Sequence, residues 1–109
     1  MMAEDFRRAG WQVYESGTAE DAIALVRTGL PIDIVFTDIQ LAGQLTGWDV
    51  AEQCREVRES VAIIYASGNA ADRTRKVDGS LFFDKPYLPE AVIDACSSVA
   101  LRSERGLRG

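Results

Sequence analysis

The sequence predicts an α/β fold, doubly wound around a parallel sheet, and three observations carry that expectation. Three short apolar runs, Ile34-Val35-Phe36, residues 61–65 (VAIIY) and Leu81-Phe82-Phe83, read as strands buried on both faces. Stretches with apolar residues at helical spacing lie between and around them. A polar group follows each run: Asp38 after IVFT, Ser67 after IIYA, and Lys85-Pro86 after LFF. Strands alternating with helices argue for βαβ units rather than an antiparallel meander.

Residues 1–9 read as a helix with Met2, Phe6 and Ala9 on one face and Gly10 as its stop. Residues 11–14 (WQVY) read as a short strand. Thr18 is placed to cap the next helix, with Asp21 three residues on as a variant of the capping box. Its buried stripe is Ala19, Ala22, Ile23 and Val26, and Gly29 ends it. Residues 47–57 form a helix with Val50, Ala51, Cys54 and Val57 inward. Pro89, at a first helical position, opens another with Val92, Ala95, Cys96 and Val99 inward. Residues 70–80 hold Asp72, Arg73, Arg75, Lys76 and Asp78 but only one sizeable apolar group, Val77. A helix there has little to bury, so a loop or frayed turn is expected.

The 109 residues suffice for one domain, placed at 1–103 with 104–109 as a C-terminal tail. The net charge is −5, and the Arg and Lys groups at 73–76 and 102–108 are short solvated runs rather than a basic stripe. Nucleic-acid binding, which draws most of its affinity from phosphate contacts, is therefore not expected. Cys54 and Cys96 sit in helix-like stretches without any His or Cys-x-x-Cys, which speaks against zinc and for small core residues in a reduced, cytoplasmic protein. No apolar run approaches the ~20 residues that span a bilayer, and no signal peptide is visible, so no membrane partner is expected. Absence of His also removes the usual general base of hydrolases.

Ligands of open α/β sheets bind at the carboxyl ends of the strands. Asp38, Ser67 and Lys85 would therefore bring an acid, a hydroxyl and an ammonium to one edge of the sheet. Singly, each is more often a cap or turn residue; their value lies in the order and the three preceding strands.

The segments FTDIQLAG, TGWDVA, VAIIYASG and FFDKPYLPEAV resemble the phosphorylation-site, fourth-strand and fifth-strand motifs of response-regulator receiver domains, and the resemblance runs through nearly the whole chain. It implies a flavodoxin-like sheet of order 2-1-3-4-5. It further implies that Asp38 is a phosphoacceptor, Ser67 a switch hydroxyl, Lys85 the lysine that neutralises the phosphoryl group, and Phe82 the aromatic whose rotamer reports activation. Gln40 and Asn69 take positions that tune the lifetime of the acyl phosphate, and Asp38 with the Gln40 carbonyl would be ligands of Mg²⁺. The implied partner is a sensor histidine kinase or histidine phosphotransferase, and the chain is not an enzyme beyond its own phosphorylation and dephosphorylation. The alternative is a pseudo-receiver, a phosphorylation-independent interaction module. Tyr65-Ala66-Ser67-Gly68 also resembles a receiver subgroup marked by Phe-Ala-Thr-Gly, whose fourth helix is short or disordered; Ser67 for Thr and Asn69-Ala70 depart from it.

One departure is larger. Receivers begin with an apolar strand ending in acidic metal ligands, and this sequence starts at Met1 in what matches the first helix. Glu4 and Asp5 precede FRRAGWQV and read as a solvated helix start, favourable to the helix dipole, rather than as those ligands. The first strand and its acidic pocket are thus expected to be missing, with Mg²⁺ binding weak or absent and phosphorylation severely weakened. The missing ligands favour the interaction module for the sequence as given, and intact Asp38, Ser67 and Lys85 favour the phosphoacceptor for a longer parent. A homodimer through exposed sheet edges or segment exchange is expected to compensate.

Overall fold

Three strands pair in parallel in the computed structural model, which describes residues 2–41, 43–68 and 75–108, the last nine through their backbone only. They are β1 (Ile34–Asp38), β2 (Ala62–Ser67) and β3 (Leu81–Asp84), in the order β1-β2-β3. The register sets Asp38 beside Ala66 and Ser67 beside Asp84. This is the 3-4-5 portion of the expected strand order. Only β2 has the double burial expected of all three: Ile63 through Ser67 are buried, whereas β1 and β3 are mostly half-buried. The difference is positional, because β2 has a neighbour on each side and the other two stand at the margins.

The chain divides into two units. Residues 16–86 hold the sheet with α2 (Ala19–Arg27) and α3 (Gly47–Val57). Thr18 caps α2 as expected, its hydroxyl accepting the Asp21 N–H at 3.1 Å, and Ile23 and Val26 turn inward. The limits of α3 match the sequence expectation. At its start one carboxylate oxygen of Asp49 accepts both the Thr46 N–H, at 2.7 Å, and the Thr46 hydroxyl, at 3.0 Å. Val50, Ala51 and Cys54 are buried, but Val57 is 45% exposed; it is the last residue of the helix, where the stripe runs off the core. Trp48, absent from the expected stripe, is buried instead. The core gathers Val26, Trp48, Val50, Cys54, Ile63 and Tyr65, with Val35 and Phe82 packed against it. Each such large side chain contributes roughly 1.5–3 kcal/mol.

The second unit joins residues 1–15 to 87–109. Here α1 (Met2–Arg8) touches α4 (Pro89–Arg108). Ala3 is the buried residue of α1, and Ala9 is exposed, so the inward face differs from the expected one. Gly10 has φ +97°, a conformation glycine adopts without steric cost, and ends that helix as read. Residues 11–14 form no strand: no ladder partner reaches them among the described residues, and an extended run without one is not a strand. Trp11 instead packs edge-on against Phe6, with ring centroids 6.2 Å apart. The backbone of α4 continues to Arg108, so the boundary expected at 103 does not coincide with a helix end.

Of the segment expected to lack a helix, 70–74 lies outside the described residues, and 75–80 is turn and irregular backbone. Its anchorage is mainly polar. The Val77 N–H donates to the buried Tyr65 hydroxyl at 3.2 Å, and Arg55 donates to the Asp78 carbonyl at 2.8 Å. Arg75 reaches Glu52 at 2.8 Å and Asp49 at 2.9 Å on α3.

Candidate functional site

Parallel strands leave their last residues at one edge, and β1 ends on Asp38 there. The backbone around it is pinned from several sides. Thr37, buried within the strand, donates its hydroxyl to the Asp38 carbonyl at 2.8 Å. The Ile39 N–H donates to the Ala66 carbonyl at 3.0 Å, extending the ladder one step beyond the strand. The Gly47 N–H donates to the Ile39 carbonyl at 2.8 Å, which brings the first residue of α3 directly onto the chain after Asp38. A Cβ on Gly47 would overlap the Asp38 carbonyl oxygen and lie 2.9 Å from its carbon. Only glycine permits that approach.

Ser67 ends β2 and is 7% exposed. The Lys85 N–H donates to the Ser67 carbonyl at 2.8 Å, fixing the start of the Lys85-Pro86 turn against β2. The Lys85–Pro86 peptide is cis. From that turn the Lys85 side chain crosses to β1, passing Gly68, and places Nζ 2.6 Å from Asp38 Oδ1. Both side chains are 44% exposed, yet Oδ1 itself is closed to solvent and no directed hydrogen bond satisfies it. The contact is thus an ion pair by distance, with the ammonium capping that oxygen. The acid and the cation named from sequence do meet, and the hydroxyl residue is adjacent through the backbone.

The other expected residues fall as follows. Phe82 pairs in register with Tyr65, and its ring stacks on Trp48 at 6.1 Å with 28° between planes. Trp48 and Tyr65 are closer, 4.7 Å between centroids, so Phe82 is one member of a three-ring cluster. Gln40 lies exposed in the bend after Asp38. Asn69 lies outside the described residues.

Gly47, Thr37, Asp49 and Arg75 were not legible as site residues. Only Asp49 carried a signal, the Thr46-x-x-Asp49 spacing of a helix start. Hydrogen bonding from the Thr46 amide, and then from Arg75, holds the Asp49 carboxyl below the usual carboxylate range. A carboxyl with a lowered folded-state pKa stabilises the fold above its unfolded value, and that contribution fades as pH falls below it. The gap in Tm between this chain and Asp49→Asn should therefore be present above pH about 4 and close at lower pH; a gap that persists unchanged into strong acid would contradict the assignment. Cys54 and Cys96 offer no nucleophile, since burial pushes each thiol up to about 11. Among the described residues, no three His, Cys, Asp or Glu side chains are grouped to hold a metal ion, and no helix is long and apolar enough to cross a membrane.

Solved structures supply the relatives. A response regulator receiver protein from Sinorhizobium medicae WSM419 is 31% identical, with a TM-score of 0.85 over 90% of this chain and 81% of that one. A CheY-like receiver domain protein from Methanospirillum hungatei JF-1 superposes with a TM-score of 0.81 at 16% identity, over 95% of this chain and 86% of that one. A response regulator from Burkholderia pseudomallei, solved with a phosphorylated aspartic acid, a calcium ion and citrate, gives 0.73 at 19% identity, over 99% of this chain and 66% of that one. The last two show the fold alone. No protein-family model and no curated protein sequence matches.

Proposed function

The chain belongs to the response-regulator receiver family, and on that premise we propose that Asp38 accepts a phosphoryl group from a sensor histidine kinase or histidine phosphotransferase. The observation that carries this reading is the Lys85 ammonium 2.6 Å from Asp38 Oδ1 at the carboxyl edge of the sheet. With Oδ1 closed by that contact, Oδ2 is the oxygen left to attack. It forms the new O–P bond as the P–N bond to the donor histidine breaks, and the released ring nitrogen takes a proton from solvent. A carboxylate is already the nucleophile, so no separate base is needed. The transferring group spreads charge over three equatorial oxygens; Lys85 neutralises part of it, and Ser67 is the hydroxyl that closes on the product. In this reading Phe82 follows that closure, Gln40 and Asn69 set the acyl phosphate's lifetime, and the chain turns over nothing but its own phosphoryl group.

Asp38 and the Gln40 carbonyl are the metal ligands this sequence would offer. A divalent ion of the Mg²⁺ or Ca²⁺ kind takes six or more oxygens, several from water or phosphate. Here one acidic oxygen is engaged by Lys85, and among the described residues no three His, Cys, Asp or Glu side chains are grouped to hold an ion. The described donors alone do not fit the ion, and Mg²⁺ is expected to bind weakly at most.

A phosphorylation-independent interaction module is not favoured; the contact of Lys85 with Asp38, with Ser67 ending the neighbouring strand, supports the acceptor reading. Residues 1–103 as one receiver domain, a cytoplasmic setting and kinship with the Phe-Ala-Thr-Gly subgroup complete the proposal. So does association with a second copy, for which β1 offers a margin paired on one side only among the described residues. Incubation with acetyl phosphate, with and without Mg²⁺, tests the reading by intact mass. One phosphoryl group should be gained by this chain and none by Asp38→Asn. Equal gain by the variant would overturn it.

A further inference from the structure

We propose that Asp49 and Arg75 act as a positioning pair for Asp38, a role that rests on the reading of Asp38 as phosphoacceptor. Asp49 uses its two carboxylate oxygens differently. Oδ2 accepts the Thr46 N–H and hydroxyl, at 2.7 and 3.0 Å, and so closes the first turn of α3. Oδ1 accepts from Arg75 at 2.9 Å. Arg75 therefore fixes the orientation in which Asp49 can cap the helix. The next residue of that turn, Gly47, bonds the Ile39 carbonyl at 2.8 Å and has no room for a Cβ beside the Asp38 carbonyl. The first turn of α3 is thus the wall against which the Asp38 backbone rests, and the pair determines where the wall stands.

Arg75 is well placed for this. It begins the described stretch that leads into β3, and that stretch is held independently by the Tyr65 hydroxyl on Val77 and by Arg55 on the Asp78 carbonyl. The guanidinium consequently reaches Asp49 and Glu52 of α3 from a segment that is anchored two and three residues further on. Its second contact, with Glu52 at 2.8 Å, lies one turn further along α3, away from the Thr46 cap. Glu52 is therefore the internal control: an ion pair with the same arginine, more exposed than Asp49 (42% against 27%) and without the link to Thr46 and Gly47.

The test compares Arg75→Ala and Glu52→Gln with the parent chain by amide hydrogen exchange and by the rate of phosphoryl uptake from acetyl phosphate. In Arg75→Ala the Thr46 and Gly47 amides should exchange about fivefold faster, the scale of a lost cap or partly exposed ion pair, and uptake should slow by a similar factor. Glu52→Gln should leave both within about twofold, and adding Arg75→Ala to Asp49→Ala should produce no further loss. Unchanged exchange at Thr46 and Gly47, faster exchange with unchanged uptake, equal effects in Glu52→Gln, or uniform acceleration at every amide would each overturn the proposal. If the parent chain itself takes up no phosphoryl group, the acceptor reading fails on its own. The exchange comparison then still decides whether the pair holds Gly47 against Asp38.

Discussion

Replacing Gly47 by alanine is expected to lower stability and to remove most phosphoryl acceptance together. The added Cβ would occupy the position of the Asp38 carbonyl oxygen. Neither partner can yield cheaply. Asp38 is held in register with Ala66 and by Thr37, and Gly47 is held by its bond to the Ile39 carbonyl and by the capped turn behind it. Forcing an extra carbon into so tight a contact costs roughly 1–3 kcal/mol. Alanine returns at most about 1 kcal/mol through its better helix propensity, and less at the first turn. The clash wins, and Tm should fall by several degrees, on the scale of about 4–8 °C per kcal/mol for a domain of this size. Because relief of the clash must move Asp38 or α3, uptake should fall further than stability alone would explain. A Gly47→Ala chain with unchanged Tm and unchanged uptake would contradict the close approach.

Lys85→Met should show the opposite balance, a small change in stability and a large one in chemistry. The pair is 2.6 Å long, but both side chains are 44% exposed, and partly exposed ion pairs contribute at most about 1 kcal/mol. Methionine keeps much of the apolar stem that runs past Gly68. Removal of a charge aimed at the transferring group is different in scale: one preorganised electrostatic group is worth about 10²–10³ in rate. Uptake from acetyl phosphate should drop accordingly while Tm shifts by only a few degrees. A loss of uptake no larger than that caused by Glu52→Gln would show that Lys85 is a structural counter-ion and nothing more.

The parts legible in the sequence were those governed by local rules. The apolar runs placed β1, β2 and β3 and, with them, Asp38, Ser67 and Lys85 at one edge. Thr18 and Asp21 placed the start of α2, and Gly47 and Val57 bounded α3 as read. What escaped depends on partners far away in sequence. Residues 11–14 alternate like a strand, yet a ladder needs a second strand that local pattern cannot supply. The 75–80 stretch has one apolar residue by composition, but its anchors are Tyr65, Asp49, Glu52 and Arg55, brought to it by the fold. Gly47 reads as a helix boundary, whereas its closest neighbour is the backbone of Asp38, nine positions earlier. Trp48 follows the same logic: it lies outside the expected stripe, and its burial comes from packing against Tyr65 and Phe82 of the sheet.

The central claim is that Asp38, rather than another carboxylate, receives the phosphoryl group. An acyl phosphate is reduced by borohydride to an alcohol, which converts a phosphorylated aspartate into homoserine and leaves free carboxylates untouched. Phosphorylation by acetyl phosphate, reduction and peptide mapping therefore locate the acceptor directly. The expected result is homoserine at position 38 alone. Homoserine at Asp84, which stands beside Ser67 at the same edge, or at Asp33 at the opposite end of β1, would contradict it, as would complete absence of homoserine in a chain that remains folded.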